Sequence, residues 1–342
     1  MTRADVARYA GVSTAVVSYV LNDGPKAVAP LTRERVLDAV RVLGYRPNAA
    51  ARALSMGTAD MFGLLVHDNR SPFFAELCHM LDQASADKGR SLLIVNSDRE
   101  QVATSEQIRD IVSRQISGLI IADVLTAREQ TLVEALGIPT VVIGQFGETD
   151  GMYSVGVDFA LGAHEATDHL IGHGYGEIAF VGSAARYDER ERGWREALSA
   201  AGLPLGPLVH VPFTYQGGYD GAVHLTELPH LPRAVLAASD QIAIGMLAAF
   251  GERGIRVPED IAIVSFDGTA SADFVWPRLT TAVQPLAEMA DTAVRILLGG
   301  RDQPGHCAFT TRLRIRESCG CRAVHDSADV DSHPDADAAS PS

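Results

Sequence analysis

The sequence is poor in the features that mark membrane and secreted proteins. No apolar run among its 342 residues reaches the length needed to span a bilayer. The N-terminus also lacks the apolar core of a signal peptide, because Asp5 and Arg8 interrupt it early. We therefore expect a cytoplasmic protein without a membrane partner, long enough to form two or three compact units.

Aromatic residues and cysteines are also scarce. Aromatic side chains make up 6% of the chain and hydrophobic residues 46%, an ordinary composition for a soluble α/β protein. The cysteines form no Cys-x-x-Cys pair, and none lies near histidines at zinc-finger spacing. Cys319 and Cys321 could in principle hold a metal or oxidise. We expect both thiols to be inert, and we predict neither a metal nor a cofactor.

Positive charge is in deficit overall but is concentrated at the start of the chain. The formal net charge is −14, yet residues 1–58 hold eight basic and four acidic side chains, a net +4, which leaves −18 for the remainder. A basic head on an acidic body indicates that only the head meets a polyanion such as DNA. Because a small surface excess of arginine is common, charge alone does not decide the point.

The first 46 residues have the pattern of three short helices. Thr2 begins a capping-box pattern, Gly11 ends the first helix and Ser13 can cap the second. We expect Thr32 to cap a third helix that Gly44 ends. The spacing of the first two helices is that of a helix-turn-helix, although a plain helical hairpin shares it.

A short alanine-rich stretch, residues 47–58, follows the head. It begins at Pro47, and Leu54 is the one large apolar side chain of its helical part. Such a segment is too short and too poor in apolar area to be a stable helix alone. We therefore expect it to fold only against a partner.

From residue 59 onward, β-rich runs alternate with amphipathic helical stretches. This alternation predicts parallel sheets covered by helices, and the number of strands favours two lobes over one open sheet. The final residues, 323–342, hold five Asp and no Lys or Arg, which indicates a disordered acidic tail. The β-rich runs are FGLLVHD, SLLIVNS, GLIIAD, PTVVIGQ, YSVGVD, IAFVGS, LVHVPF, AVLAAS and IAIVSFD.

Ordered blocks along nearly the whole chain carry a family resemblance. They are DVARYAGVS and LGYRPNAAARAL in the head, SPFFAEL, ERERGWREALSAAG, ASDQIAIGMLAAFGERGIRVPEDIAIVSFD and LTTAVQP. On these blocks the sequence resembles the lactose-repressor (LacI/GalR) family of transcriptional regulators.

The resemblance implies an all-α helix-turn-helix domain followed by a bilobal α/β domain like the periplasmic binding proteins. The implied segments are a head at 1–46, a hinge helix at 47–58 and a body at 59–322. Within the body, one lobe comprises about 59–157 plus 284–310, and the other about 158–283 plus 311–322.

The resemblance further implies a homodimer that binds a near-palindromic DNA operator. Thr14, Ala15 and Tyr19 occupy the usual base-reading positions, but none of them can make a bidentate contact to guanine. Leu54 matches the leucine that wedges between central base pairs in the minor groove. The implied DNA-binding residues are Thr2, Ser13, Thr14, Ala15, Ser18, Tyr19, Asn22, Asn48, Ala51, Arg52 and Leu54.

A small-molecule effector, a sugar or related metabolite, is implied between the lobes. Arg190 would supply a donor fork and Asp267 an acceptor, while Phe73 would help to enclose the ligand. A polyhydroxylated or a heterocyclic compound would suit these groups. The implied effector-binding residues are Phe73, Phe74, Asp158, Arg190, Phe213, Ser239, Asp240 and Asp267.

Two other classes of protein would show different features in the sequence. A secreted bilobal sugar-binding protein would need a signal peptide and no basic head. An α/β enzyme would need a phosphate-binding or nucleophile motif, and the sequence contains no GxGxxG, GxSxG or HExxH. We therefore predict a non-enzymatic, effector-controlled regulator, a repressor. Whether the effector is an inducer or a corepressor stays open.

Overall fold

The computed structural model describes residues 1–21, 27–45, 60–97, 104–123, 125–144, 152–183, 188–299 and 305–321. The chain divides into two compact units, Met1–Asp60 with Ser113–Ser117 and Met61–Val112 with Gly118–Ser342. Three predictions lie outside the described residues: the DNA contact of Asn22, the hinge helix with Asn48, Ala51, Arg52 and Leu54, and the acidic tail.

The first unit begins with two helices joined by a tight turn, α1 (Arg3–Ala10) and α2 (Thr14–Leu21). The capping box predicted at Thr2 is confirmed, because Thr2 and Asp5 exchange hydrogen bonds between side chain and backbone. Gly11 ends α1 with a φ of 64°, a left-handed conformation that suits glycine. Ser13 accepts a hydrogen bond from the Val16 amide at 3.3 Å, so the predicted cap of α2 is also confirmed.

The third helix, α3 (Pro30–Leu43), begins three residues earlier than a cap at Thr32 would place it. The prediction that Thr32 caps it is wrong, since the cap position is Ala29, which offers no side-chain hydrogen bond. Pro30 fits the first turn because a proline there loses no helical hydrogen bond. Gly44 ends α3 as predicted, with a φ of 58°. The three helices share a small core of Val6, Ala7, Ala10, Val17, Val20, Val36 and Ala39.

The second unit contains two six-stranded sheets. In the first lobe the strand order is β11-β5-β4-β3-β1-β2, and in the second it is β12-β10-β9-β8-β6-β7. All pairings are parallel except that of β12 with β10. The strands are β1 (Met61–Val66), β2 (Ser91–Asn96), β3 (Gly118–Ala122), β4 (Thr140–Ile143), β5 (Tyr153–Val157), β6 (Ile178–Gly182), β7 (Leu208–His210), β8 (Ala234–Ala237), β9 (Ala262–Asp267), β10 (Thr280–Val283), β11 (His306–Phe309) and β12 (Arg312–Arg314).

Helices cover both sheets, as the alternation predicted. They are α4 (Pro72–Ala86), α5 (Thr104–Ser113), α6 (Ala127–Leu136), α7 (Phe159–Gly172), α8 (Glu189–Ala200), α9 (Tyr215–Thr226), α10 (Asp240–Glu252) and α11 (Leu286–Leu297). Among the helices so described, none has the length and apolar character needed to cross a membrane. Each of the nine β-rich runs forms a strand, so the prediction of two lobes built on parallel sheets is confirmed.

The chain passes between the two sheets three times: after β5, after β10 and after β11. Within the second lobe, neighbouring helices approach closely through glycines. A Cβ on Gly193 of α8 would lie 2.0 Å from the Ala160 carbonyl oxygen of α7. A Cβ on Gly218 of α9 would meet the Ile242 carbonyl of α10 at the same distance. These contacts allow the neighbouring helices to lie close together, and α8 carries Arg190 in its first turn.

Candidate functional site: a cavity between two lobes and a helix-turn-helix head

A cavity of about 740 Å³ lies at the carboxyl ends of the parallel strands of both lobes. His67 follows β1 and Asp123 follows β3 in the first lobe; Ser183 follows β6 and Asp267 ends β9 in the second. Ligands of open α/β sheets bind at this edge. The volume falls within the range of about 300–1,000 Å³ that is common for small-molecule sites.

Arg190, in the first turn of α8, is surrounded by three aromatic rings. Its guanidinium carbon lies 4.2 Å from the ring centre of Phe159, 4.7 Å from that of Phe266 and 5.6 Å from that of Phe213. All three distances are within the range of cation–π attraction. The rings therefore hold the guanidinium at the cavity while shielding it from water.

Two carboxylates share the charge of Arg190. Its Nη1 lies 3.5 Å from Asp188 Oδ1 and its Nη2 lies 3.9 Å from Asp267 Oδ1. Neither distance is that of a bidentate pair, in which two nitrogens donate at about 2.8 Å. Arg190 Nε and Asp188 Oδ2 are buried without a hydrogen-bond partner among the described residues. The site therefore retains donor and acceptor capacity that a ligand can use.

Asp267 is the most perturbed group of the cavity. Its backbone φ of 109° is a conformation that residues other than glycine rarely adopt, and such backbone strain is concentrated at functional sites. Burial raises the pKa of Asp267 well above its ordinary value, opposed by the positive charge of Arg190. Its Oδ1 accepts a hydrogen bond of 3.0 Å from Gln284 Nε2. The structure thus holds a carboxyl group at the cavity at a cost in free energy.

Aromatic side chains of the first lobe form the opposite side of the cavity. Phe73 and Phe74, in the first turn of α4, pack edge to face with ring centres 5.2 Å apart. His67 lies against Phe74 at 6.3 Å. The cavity therefore combines flat apolar surfaces from one lobe with charged hydrogen-bonding groups from the other.

Six of the eight predicted effector residues line this cavity: Phe73, Phe74, Arg190, Phe213, Ser239 and Asp267. Asp158 and Asp240 lie outside its described lining. Asp158 caps α7 by accepting a hydrogen bond of 2.9 Å from the Leu161 amide.

Asp240 lies behind the cavity, because it is only 1% exposed. Its carboxylate accepts hydrogen bonds from Ser265 at 2.6 Å, from Thr281 at 2.7 Å and from the Thr269 amide at 2.6 Å. Direct effector contact by Asp240 is thus corrected to a positioning contact: it holds Thr269, which does line the cavity.

Several lining residues were not singled out from the sequence. Asp123 accepts a hydrogen bond from the Ser97 hydroxyl, and its Oδ2 lies 3.8 Å from His67 Nδ1. The available signal was position, since these polar residues directly follow strands whose carboxyl ends meet at one edge. The unpredicted polar lining residues are His67, Asp68, Ser71, Asp123, Ser183, Asp188, Glu189, Thr214, Gln241 and Thr269.

A hydrogen bond joins the two lobes beside the cavity. The Ala270 amide of the second lobe donates to Glu76 Oε1 on α4 of the first lobe at 2.7 Å. Burial raises the pKa of Glu76, while the hydrogen bond from Ala270 lowers it. This contact stabilises the arrangement of the lobes seen here.

In the head, the N-terminal part of α2 presents small side chains to solvent. Thr14 and Ala15 are exposed, whereas Ser18 and Tyr19 are half-buried. Arg35 of α3 is exposed, and its Nε donates at 3.2 Å to the Ala10 carbonyl at the end of α1. It holds the turn that sets the angle between α1 and α2. Thr2 and Ser13 are engaged as helix caps.

The fold and the site together define a helix-turn-helix head attached to a bilobal body with a ligand cavity. Two family models match: "Bacterial regulatory proteins, lacI family" at residues 2–48, and "Periplasmic binding protein-like domain" at residues 167–319. Catabolite control protein A of Priestia megaterium is 31% identical over 300 residues, covering 86% of this chain and 90% of that protein. The ribose operon repressor of Escherichia coli K12 is 31% identical over 313 residues, covering 89% and 94%.

A crystal structure of the lac repressor dimer bound to operator and the anti-inducer ONPF is similar over 93% of this chain and 99% of that one. The TM-score is 0.84 and the sequence identity is 26%. The chain belongs to the lacI family of bacterial regulatory proteins. It is a DNA-binding transcriptional regulator, and the resemblance inferred from its sequence blocks is confirmed.

Proposed function

We propose that the protein represses transcription as a cytoplasmic homodimer and that a neutral, polyhydroxylated small molecule in the cavity controls its affinity for operator DNA. The observation that carries the proposal is the Arg190 site: a guanidinium held by three aromatic rings with an unpaired Nε, beside two carboxylates. Vicinal hydroxyls both donate and accept hydrogen bonds, so they complement such a set.

The charge of the lining favours a neutral ligand over a phosphorylated one. Five carboxylate residues line the cavity, and Arg190 is the only Arg or Lys among its described lining residues. Arg190 is already flanked by Asp188 and Asp267. A phosphate would therefore meet like charge without a free cation to offset it. The phenylalanines offer flat surfaces to the apolar faces of a sugar ring.

Ligand binding would act on DNA affinity through the arrangement of the lobes. A ligand can contact Phe73 on one lobe and Arg190 on the other only when the lobes bring both within its reach. It therefore binds that arrangement of the lobes more tightly than any other. It shifts the population by that difference in affinity. The lac repressor structure with both operator and anti-inducer supports this reading. We propose no catalytic step.

Operator recognition is proposed for α2 and the hinge segment. Thr14 and Ala15 stand exposed at the start of α2, where a recognition helix contacts base edges. Ser18 and Tyr19 lie one turn further on, and Thr2 and Ser13 stand at helix N-termini that suit phosphate. Leu54 is proposed to enter the minor groove, with Asn48, Ala51 and Arg52 around it.

A ligand screen tests the effector proposal. Neutral mono- and disaccharides, their phosphates, and nucleobases would be screened for an increase in melting temperature of the full chain. We expect stabilisation by one or more neutral sugars. Asp267→Ala should abolish the increase and the effector response on DNA while operator binding persists. Asp87→Ala, on the exposed surface, is the matched control. Stabilisation by phosphates or nucleobases alone would contradict the proposed ligand class.

Selection of bound sequences from random duplex DNA would identify the operator and test the hinge. We expect Leu54→Ala to reduce affinity for the selected site by at least about tenfold, because the inserted leucine offsets an unstacking cost of a few kcal/mol. Nonspecific affinity should stay within about twofold. Arg52→Ala, which removes a proposed phosphate contact, serves as the control that should weaken binding to both DNAs. Equal losses on both DNAs with Leu54→Ala would rule out the wedge.

A further inference from the structure

Four potential metal ligands converge at the C-terminal end of α7, outside the cavity. They are His169, His173, Cys319 and Cys321, and their ligand atoms all lie within 4.8 Å of one another. His169 Nε2 lies 3.2 Å from Cys319 Sγ and 3.8 Å from Cys321 Sγ. His173 Nε2 lies 3.1 Å from Cys321 Sγ.

These separations are close to those within a tetrahedral metal shell. Zinc binds imidazole nitrogen at about 2.0–2.1 Å and thiolate sulfur at about 2.3 Å, which places neighbouring ligand atoms roughly 3.3–3.8 Å apart. Of the nitrogen–sulfur distances given above, 3.1 and 3.2 Å lie slightly below that range and 3.8 Å lies at its upper end. Small adjustments of side-chain torsions are enough to admit one ion.

The local fold accounts for the convergence. His169 and His173 are four residues apart at the end of α7, so they lie on one face of the helix. Cys319 ends a 3-10 turn, and Gly320 follows with a φ of 97°, which brings Cys321 back toward the same helix. The Thr280 hydroxyl contacts Cys319 Sγ at 3.1 Å and thereby helps to fix the position of the thiol.

We propose that His169, His173, Cys319 and Cys321 bind one zinc ion in a closed, structural site. Two imidazoles and two thiolates in tetrahedral arrangement are typical of zinc. Four protein ligands leave no open position for a substrate, which argues against a catalytic role. The ion would join α7 to the segment that follows β12.

The site is distinct from the effector cavity. Phe159, the first residue of α7, lines the cavity, whereas the histidines occupy the opposite end of this helix. A helix of 14 residues is about 21 Å long. The zinc would therefore stabilise the lobe that carries Arg190 without contacting the effector.

The test is metal analysis of the full chain purified without a histidine tag and under reducing conditions. We expect about one zinc per chain by mass spectrometry. After removal by a chelator, cobalt(II) should give the d–d bands of a tetrahedral site and a thiolate-to-cobalt charge-transfer band. Returning zinc should raise the melting temperature.

Two single substitutions and two controls decide the assignment. Cys321→Ser and His173→Asn should each lower zinc affinity by more than about 100-fold, the upper end seen when only outer-shell contacts are lost. His173 is exposed, so its replacement should leave the fold intact. Cys307→Ser and His164→Gln should retain one zinc. Purified chain without zinc that also fails to bind added zinc or cobalt would overturn the proposal, as would unchanged affinity in both ligand variants.

Discussion

Replacing Gly193 by alanine should separate α8 from α7 and disturb the cavity from a distance. The Cβ added at this position would lie 2.0 Å from the Ala160 carbonyl oxygen, and real Cβ contacts essentially never fall below 3.0 Å. The two helices must therefore move apart by at least 1.0 Å. Because Arg190 lies one turn before Gly193 on α8, its guanidinium moves away from Phe159 as well.

The expected cost is set by two opposing effects. Overpacking typically costs about 1–3 kcal/mol, and a rigid backbone carbonyl gives way less than a side chain does, so the upper value applies. Alanine recovers up to about 1 kcal/mol of helix propensity. The net loss is then about 2 kcal/mol. At about 2–4 °C per kcal/mol for a body of this size, the melting temperature should fall by roughly 4–8 °C.

Differential scanning calorimetry of the full chain measures this shift, with Gly251→Ala as the matched control. Gly251 also lies in a helix, α10, but a Cβ there meets nothing within 4 Å. Gly251→Ala should therefore melt at the same temperature as the unsubstituted chain or slightly above it. If the two alanine variants melt within about 1 °C of each other, the close approach of α7 and α8 does not constrain the fold.

Two further substitutions test groups whose physical state the structure defines. Asp267→Asn should raise the melting temperature at pH 7. Burial raises the pKa of this carboxyl, so the folded state binds its proton more tightly than the unfolded state does. The protein therefore loses stability as the pH rises from about 4, the pKa of an unfolded aspartate, toward the raised pKa. Melting scans from pH 4 to 7 should show that part of this decline is absent in Asp267→Asn; parallel curves would contradict the assignment. Thr2→Ala should destabilise α1 by about 1 kcal/mol through loss of the capping box, seen as faster hydrogen exchange of α1 amides. Unchanged exchange would show that the cap contributes nothing.

Much of the fold follows from local patterns that the sequence displays. All nine alternating β-rich runs form strands, and the caps at Thr2, Gly11 and Gly44 are seen because they depend on a few neighbouring residues. β10, β11 and β12 were missed because none of them contains a run of large apolar residues. β12, with the sequence RLR, exists through its antiparallel pairing with β10. Such strands depend on the tertiary structure.

The site was predictable only in part, for a related reason. Arg190 and Asp267 belong to sequence motifs that correctly indicated the cavity. The same reasoning also placed Asp240 in the cavity, but its carboxylate is enclosed by neighbouring hydroxyls behind the lining. Asp123 required knowledge of which strand ends meet. The four metal-ligand candidates show the limit most clearly, because 150 residues separate His169 from Cys319 and no spacing rule joins them.

The distribution of unsatisfied groups over the lobes explains how a ligand can control this protein. Arg190 Nε and Asp188 Oδ2 belong to the second lobe and are buried without a hydrogen-bond partner among the described residues, while Phe73 belongs to the first lobe. A ligand that satisfies the polar groups of one lobe leaves its other face to the rings of the opposite lobe. Its binding energy therefore depends on the distance between the lobes, and a hydrogen bond such as that from Ala270 to Glu76 adds to the same arrangement. Because buried charges cost free energy, a ligand that pairs with them binds most tightly to the arrangement that brings them within its reach. That difference in affinity between arrangements sets the limit on allosteric control.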